Sequence, residues 1–265
     1  MPQFSIESFD DERLEPYRDL KHAAPMQETF IAEGERLVLR LLEGPCRTES
    51  ILCTAAAYAR LAGRFPDAIP VYVASTALIC RLIGFRFHRG VLACGLRPPA
   101  RRLESLWPID RPGERSLLVI CPQIGDPANL GTIIRTAAAF GASGLVASRT
   151  GTDLFSRRVL RTSMGSVLRL PIVQTDDWPA VLESLHRAGF ETIATVVEPG
   201  AAPLSTQLLP ARAAILLGNE ATGLPIELSG RCRRRITIPM AGASSLNVAV
   251  AAGIVLHHFA NAADD

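Results

Sequence analysis

Ala213-Ala214-Ile215-Leu216-Leu217-Gly218-Asn219-Glu220-Ala221-Thr222-Gly223-Leu224-Pro225 opens as an unbroken apolar run and stops in a polar loop bracketed by glycines. A short run without polar alternation is what a strand buried on both faces requires, so it predicts the interior of a parallel sheet. Open α/β sheets bind ligands beyond the carboxyl ends of their strands, which is where Gly218 and Glu220 stand. Gly218 lets another molecule approach the backbone, and Glu220 supplies a local charge. A plain turn with Glu220 at a helix N-terminus would use the same residues. Leu117–Ile120, Gly144–Ala147 and Thr192–Val197 repeat the apolar run, and helical patterns fall at Leu130–Phe140, Leu154–Arg161 and Trp178–Ala188. The alternation predicts an α/β domain over 116–265. Its last helix, Leu246–Phe259, is apolar almost all round until His257, which predicts burial on every side and points to a second subunit covering it.

Upstream, Trp107-Pro108-Ile109-Asp110-Arg111-Pro112-Gly113 is hostile to helix and marks a linker over 107–115. Residues 1–106 then form a separate, small α/β domain. Phe30-Ile31-Ala32, Ile51–Thr54, Val71–Ala74 and Val91–Cys94 are its predicted strands. Glu35–Leu42 and a segment capped by Ser75 or Thr76 and ending at Ile83 are its helices.

The 265 residues are 48% hydrophobic and 20% charged, which is globular composition. Net charge is +2, but its distribution is uneven. Lys21 is the sole lysine among 28 basic residues, and no acidic residue occurs from Ala68 to Leu103, a stretch with six arginines. Arg149–Arg169 carries five arginines against Asp153 alone. Guanidinium forks suit phosphate, so both stretches are candidate nucleic-acid surfaces, although a preference for Arg codons would give the same excess over lysine. Cys46, Cys53, Cys80, Cys94, Cys121 and Cys232 show no zinc spacing, and several lie in apolar runs. The expectation is a reduced cytoplasmic protein without structural metal. The acidic, polar start and the lack of a membrane-length apolar run add to it.

Common cofactor signatures are missing. No G-x-G-x-x-G follows a strand, the single lysine excludes a P-loop, and neither G-x-S-x-G nor H-E-x-x-H occurs. Two polar clusters join the one quoted first. Asp126-Pro127-Ala128-Asn129-Leu130-Gly131-Thr132-Ile133-Ile134-Arg135 opens a helix, with Asn129 near its N-cap and Arg135 nearly two turns on. Arg135 is flanked by apolar residues, so its charge is costly unless it meets an anion or snorkels to solvent. Ile236-Thr237-Ile238-Pro239-Met240-Ala241-Gly242-Ala243-Ser244-Ser245-Leu246-Asn247-Val248 takes a strand through a loop and a serine cap into the last helix. Asn247 inside that helix needs partners for its amide.

In this order the three clusters resemble the SpoU/TrmH branch of the SPOUT RNA methyltransferases, over about residues 116–262. Asn129-x-Gly131-x-x-x-Arg135 is similar to that family's motif 1, Gly218-Asn219-Glu220-x-x-Gly223 to motif 2, and Ile238-Pro239-Met240 through Ser245-Leu246-Asn247-Val248 to motif 3. Arg161-x-Ser163-x-Gly165 through Arg169-Leu170-Pro171 also resembles a family segment. Phe30-Ile31-Ala32-Glu33-Gly34-Glu35-Arg36-Leu37 and His88-Arg89-Gly90-Val91-Leu92-Ala93 make the first half similar to a ribosomal-protein-like RNA-binding domain. The resemblance implies a parallel sheet with a trefoil knot, a homodimer with the active site at its interface, and bent S-adenosylmethionine held by Gly218, Ile238 and Leu246. Met240 and Thr195 are further cofactor candidates. It implies 2′-O-methylation of a ribose in structured RNA, with Arg135, Asn129, Glu220, Ser245 and Asn247 as catalytic residues. Family members often carry Ser two residues after the motif 3 asparagine, where this chain has Ala249.

The N-terminal domain favours large-subunit ribosomal RNA over transfer RNA as the target. Arg86, Arg89, Arg101 and Arg102, with some of Arg157, Arg158 and Arg161, are the expected phosphate contacts. The Arg231–Arg235 run either binds RNA or flanks a surface turn. Two alternatives stand beside this one. A non-catalytic RNA-binding or assembly factor would not require all five catalytic residues, and small-molecule metabolism would leave the acid-free arginine stretches without purpose.

Overall fold

The structure is a computed structural model and describes residues 2–21, 28–107, 115–208, 210–242 and 244–261. Of the expected linker, residues 108–114 lie outside these, as does Ala243 of the third cluster. Along the chain come β1 (Gln3–Ile6), β2 (Thr29–Glu33), α1 (Glu35–Leu42), β3 (Thr48–Cys53), α2 (Ala55–Leu61), β4 (Val71–Ala74), α3 (Thr76–Ile83) and β5 (Val91–Leu96). Then follow β6 (Ser116–Cys121), α4 (Pro127–Ala139), β7 (Gly144–Ala147), α5 (Arg157–Thr162), β8 (Ile172–Gln174), α6 (Trp178–Arg187) and β9 (Glu191–Thr195). The chain continues with β10 (Ala202–Pro203), β11 (Arg212–Leu216), α7 (Ile226–Ser229), β12 (Arg234–Thr237) and α8 (Val248–Asn261).

The chain divides into two compact units, Met1–Pro99 with Phe155–Arg169, and Ala100–Leu154 with Leu170–Asp265. These bounds differ from the expected 1–106 and 116–265 in two places. Leu106 and Trp107 are buried in the core of the second unit, where the Trp107 ring meets Phe190 edge-on at 5.2 Å. The segment around α5 groups with the first unit instead. There Phe155 packs on Phe30 at 4.8 Å, and Arg157 pairs with Glu33 at 2.8 Å while lying over the Phe85 ring.

The first unit is a five-stranded mixed sheet in the order β1-β4-β3-β5-β2. Its β3–β5 ladder slips between Thr48 and Ser50. The buried Tyr17 hydroxyl fills that irregularity, donating to the Ser50 carbonyl at 3.0 Å and accepting from the Cys94 N–H at 3.2 Å. A buried phenol needs such partners, and burial pushes its pKa well up.

The second unit has seven strands in the order β10-β12-β9-β11-β6-β7-β8. Every pairing is parallel, as the apolar runs require. From β6 the chain builds outward through β7 and β8, then returns to the other side with β9. Ligands collect at such a reversal. The loops after β6 and β11 leave neighbouring strands, since Ile120 stands opposite Leu216. Helix α8 packs against α4, but it is not buried on every side within one chain. Val250 and Ile254, four residues apart on one helical face, remain 53% and 39% exposed. Among the described residues no helix is long and apolar enough to cross a membrane.

Candidate functional site

The three polar clusters converge through a short chain of amides. Asp126 caps α4, its carboxylate accepting from the Ala128 N–H at 2.8 Å, and Pro127 occupies the first turn. The helix therefore begins at Pro127, three residues before the expected Leu130. Because Asp126 takes the cap, the Asn129 amide is released for other work. Its Nδ2 donates to Glu220 Oε1 at 2.5 Å, and its Oδ1 accepts from Asn247 Nδ2 at 3.1 Å. Residues 91 and 118 positions apart are thereby joined at one spot.

Asn247 differs from its expected place. It precedes α8 rather than lying inside it, and its Oδ1 accepts from the N–H groups of Ala249 and Val250, so Asn247 is the cap and Ser244 and Ser245 are not. It is exposed, so its amide is not a buried group in search of partners. Ala249 lies in the first turn of the helix, buried.

Asn219, a motif 2 residue to which the sequence assigns no role, builds the second loop. Its backbone pairs both ways with Gly223, at 3.0 and 2.9 Å. Its Oδ1 accepts from Ala221 and Thr222, and its Nδ2 donates to the Gln123 carbonyl at 2.9 Å. An asparagine folding its side chain onto the backbone two residues on is the turn signal that could have found it.

Beyond the carboxyl ends of β9, β11 and β12 lies a cavity of about 370 Å³, within the range of small-ligand sites. Gly218, Ile238, Leu246, Met240 and Thr195, the five expected cofactor residues, all line it, as do Glu220 and Ser245. The Thr195 hydroxyl is already committed to the Leu216 carbonyl at 2.8 Å, tying the ends of β9 and β11 together. Ser245 has no hydrogen-bond partner among the described residues. Glu198, also missed, lines the cavity and pairs with Arg235 at 3.3 Å. Burial pushes the thiol of Cys121, at the end of β6, far up, with the Glu220 carboxylate adding to the shift, so this cysteine is a packing residue and no nucleophile.

Arg135 is not part of this lining. It is exposed on α4, between Ile134, which is buried, and Thr136, and its side chain makes no ion pair or hydrogen bond among the described residues. Of the arginines expected on phosphate, Arg86, Arg101, Arg158 and Arg161 are exposed without side-chain partners among the described residues. Arg102 faces Glu104 at 3.7 Å and Arg89 faces Glu33 at 3.6 Å. Arg157 is engaged within the first unit by Glu33, the Leu20 carbonyl and the Phe85 ring. In the Arg231–Arg235 run, Arg233 and Arg234 pair with Glu191.

The amide chain has a testable cost. Asn129→Ala should destabilise the protein by about 1 kcal/mol through the lost hydrogen bonds. Asn129→Asp should destabilise it more, because a second carboxylate would face Glu220. Thermal unfolding that ranks the two variants the other way would remove Asn129 as the link.

A model of the SpoU rRNA Methylase family matches residues 116–257. An uncharacterised tRNA/rRNA methyltransferase of Mycobacterium tuberculosis is 32% identical over 94% of this chain and 88% of its own. The Bacillus subtilis 23S rRNA (guanosine(2553)-2′-O)-methyltransferase RlmP is 29% identical over 96% of this chain and 98% of its own. The crystal structure of an AdoMet-bound rRNA methyltransferase from Sinorhizobium meliloti superposes with a TM-score of 0.79 at 28% identity, covering 97% of each chain.

Proposed function

Because the chain belongs to the SpoU rRNA methylase family, we propose that it methylates a ribose 2′-hydroxyl of large-subunit ribosomal RNA with S-adenosylmethionine as donor. The observation that carries this is the Asn247–Asn129–Glu220 chain at a cavity bounded by motifs 2 and 3. The relatives add the substrate: RlmP is named for 2′-O-methylation of 23S rRNA, and the Sinorhizobium neighbour is described with AdoMet bound.

The residues present fit the donor. Ile238, Leu246 and Val248 give apolar wall for an adenine, while Ser244 and Ser245 offer hydroxyls without partners among the described residues. Gly218 and Met240 complete the lining where the donor would lie. When bound, S-adenosylmethionine supplies an electrophilic methyl group. The chain's own task is to deliver a poor nucleophile to it. A guanidinium has no lone pair to offer, so Arg135 does not act as a base. In this scheme Arg135 grips the phosphate beside the target nucleotide and stabilises negative charge developing on oxygen, with that phosphate or water taking the proton. Asn129, Ser245 and Asn247 orient the ribose and Arg135, and Glu220 holds the motif 2 loop.

Arg135 lies outside the lining of its own chain's cavity, and α8 exposes Val250 and Ile254. Both facts support a homodimer in which Arg135 serves the cavity of the second copy. A trefoil knot in the C-terminal part, a ribosomal-protein-like RNA-binding role for the first unit, and a cytoplasmic location belong to the same proposal. The exposed Arg86 and Arg158 supply cationic surface for that role.

Mapping 2′-O-methyl positions in ribosomal RNA from cells with and without this protein tests the proposal. One methyl group should vanish from large-subunit RNA when the protein is absent. An unchanged map, together with RNA binding and no labelled methyl transfer, would favour the assembly factor.

A further inference from the structure

The cavity has an unusual charge inventory. Glu198 and Glu220 are the only charged side chains lining it among the described residues; no arginine, lysine or histidine does so. Much of the remaining wall is apolar, from Val197, Leu224, Ile236, Ile238, Leu246 and Val255. Two carboxylates on the wall of one concave, partly apolar site set a negative potential in the space between them, even though Glu220 is exposed and Glu198 partly so. The two are not equivalent. Glu220 is committed through Oε1 to the Asn129 amide at 2.5 Å. Among the described residues the Glu198 side chain is held only by Arg235, at 3.3 Å, and that pair is open to water, with 55% of the Arg235 side chain and 39% of the Glu198 side chain exposed. Such a pair is weak, and its guanidinium screens the carboxylate only in part. The other oxygen, Glu198 Oε1, has no partner among the described residues.

We propose that Glu198 is a specificity-determining residue of the donor site, setting a negative potential that favours the positively charged sulfonium donor over its neutral thioether product, with Arg235 tuning that potential. The inference rests on the function proposed above and goes beyond it. S-adenosylmethionine carries a fixed positive charge on sulfur that no pH change removes. Transfer of the methyl group to a ribose oxygen, with the hydroxyl proton passing to phosphate or water, leaves the sulfur uncharged. Donor and product otherwise share the adenine, the ribose diol, and the ammonium and carboxylate of the amino-acid end. A potential that acts on the sulfur charge therefore separates them, and every contact to the shared parts does not. The consequence is a site that fills with donor in the presence of product and sheds the product once the charge is gone.

Isothermal titration of the full chain with S-adenosylmethionine, S-adenosylhomocysteine and sinefungin, whose amine replaces the sulfonium methyl, tests this in wild type, Glu198→Gln and Arg235→Gln. The quantity read is the ratio of the product Kd to the donor Kd. Glu198→Gln should lower that ratio about fivefold, equivalent to about 1 kcal/mol. Arg235→Gln should raise it, by about two- to threefold, because it removes the screening charge. Sinefungin should follow the donor in both. The opposite signs of the two variants also guard against a misfolded one, which a melting curve identifies. A ratio unchanged in both folded variants overturns the inference, even if both affinities move together, since Glu198 would then touch only what donor and product share. A wild-type chain that binds none of the three molecules overturns the function on which the inference rests.

Discussion

Arg135→Ala should lower the rate of RNA methylation by about 10²–10³-fold, the usual cost of removing one preorganised stabiliser of developing oxyanion charge. Affinity for S-adenosylmethionine should stay within about twofold of wild type, a few tenths of a kcal/mol. The two halves of this expectation come from where the side chain sits. Arg135 is exposed on the middle of α4, its side chain makes no bond among the described residues, and it does not line the cavity of its own chain. No described residue pairs with its side chain, and alanine is the better helix former, so stability should hold or rise slightly. The loss must then appear in the reaction itself. Arg135→Lys should recover part of the rate, because an ammonium still meets a phosphate, but as a point charge without the two-pronged fork. Single-turnover transfer of a labelled methyl group to ribosomal RNA, beside calorimetric donor binding, makes the measurement. Native-rate methylation by Arg135→Ala would end the scheme, and an equal loss of donor binding would move Arg135 from the RNA to the donor.

What the sequence made legible here, and what it hid, follow from the range of the interactions involved. The strands β6, β7, β9 and β11 are readable because both faces of each are buried, which forces continuous apolar runs. Their order is not, because β6 and β11 pair across a separation that no local signal records. The short β8 and β10 carry too few residues for any pattern, and β1 is an edge strand exposed along most of its length. Helix α4 begins ahead of its apolar periodicity, because its start is set by Asp126-Pro127, a cap followed by a first-turn proline, while the periodic residues begin further on. The grouping of Phe155–Arg169 with the first unit depends on the contacts of Arg157 with Glu33 and Phe85, which are tertiary and leave no trace in periodicity. At the site, residue types and their elements were legible, and all five donor-contact candidates line one cavity. The direction of the Asn247–Asn129–Glu220 bonds was not. Glu198 follows a buried strand just as Glu220 does, so the rule that singled out one loop applied equally to the other.

Gly218→Ala should weaken donor binding about a hundredfold and lower the unfolding temperature, although Gly218 has an ordinary backbone conformation and alanine adds one methyl group. A Cβ at this position would lie 2.5 Å from the Gly223 carbonyl carbon and 2.5 Å from the Leu224 nitrogen. Both are main-chain atoms, and neither can swing aside as a flexible side chain would. The loop that carries them is closed by the two-way pairing of Asn219 with Gly223 and pinned to Gln123 by the Asn219 amide. Relief therefore requires the loop to open or the end of β11 to shift. Overpacking of this kind costs about 1–3 kcal/mol where side chains can yield, and the cost here should reach the upper end. Either movement carries Glu220 away from Asn129 and changes the wall formed by Gly218, Gly223 and Leu224. A loss of about 3 kcal/mol in binding corresponds to roughly a hundredfold weaker Kd. Two glycine controls separate the close approach from general intolerance of change. Gly125→Ala meets no atom within 4 Å and should behave as wild type. Gly223→Ala also meets no atom within 4 Å, but its φ of +69° should cost about 1–2 kcal/mol in strain. The expected order of unfolding temperatures and donor affinities is thus Gly125→Ala, then Gly223→Ala, then Gly218→Ala. Donor binding by Gly218→Ala at wild-type strength would mean that the loop yields freely, and that the motif 2 backbone does not shape the site.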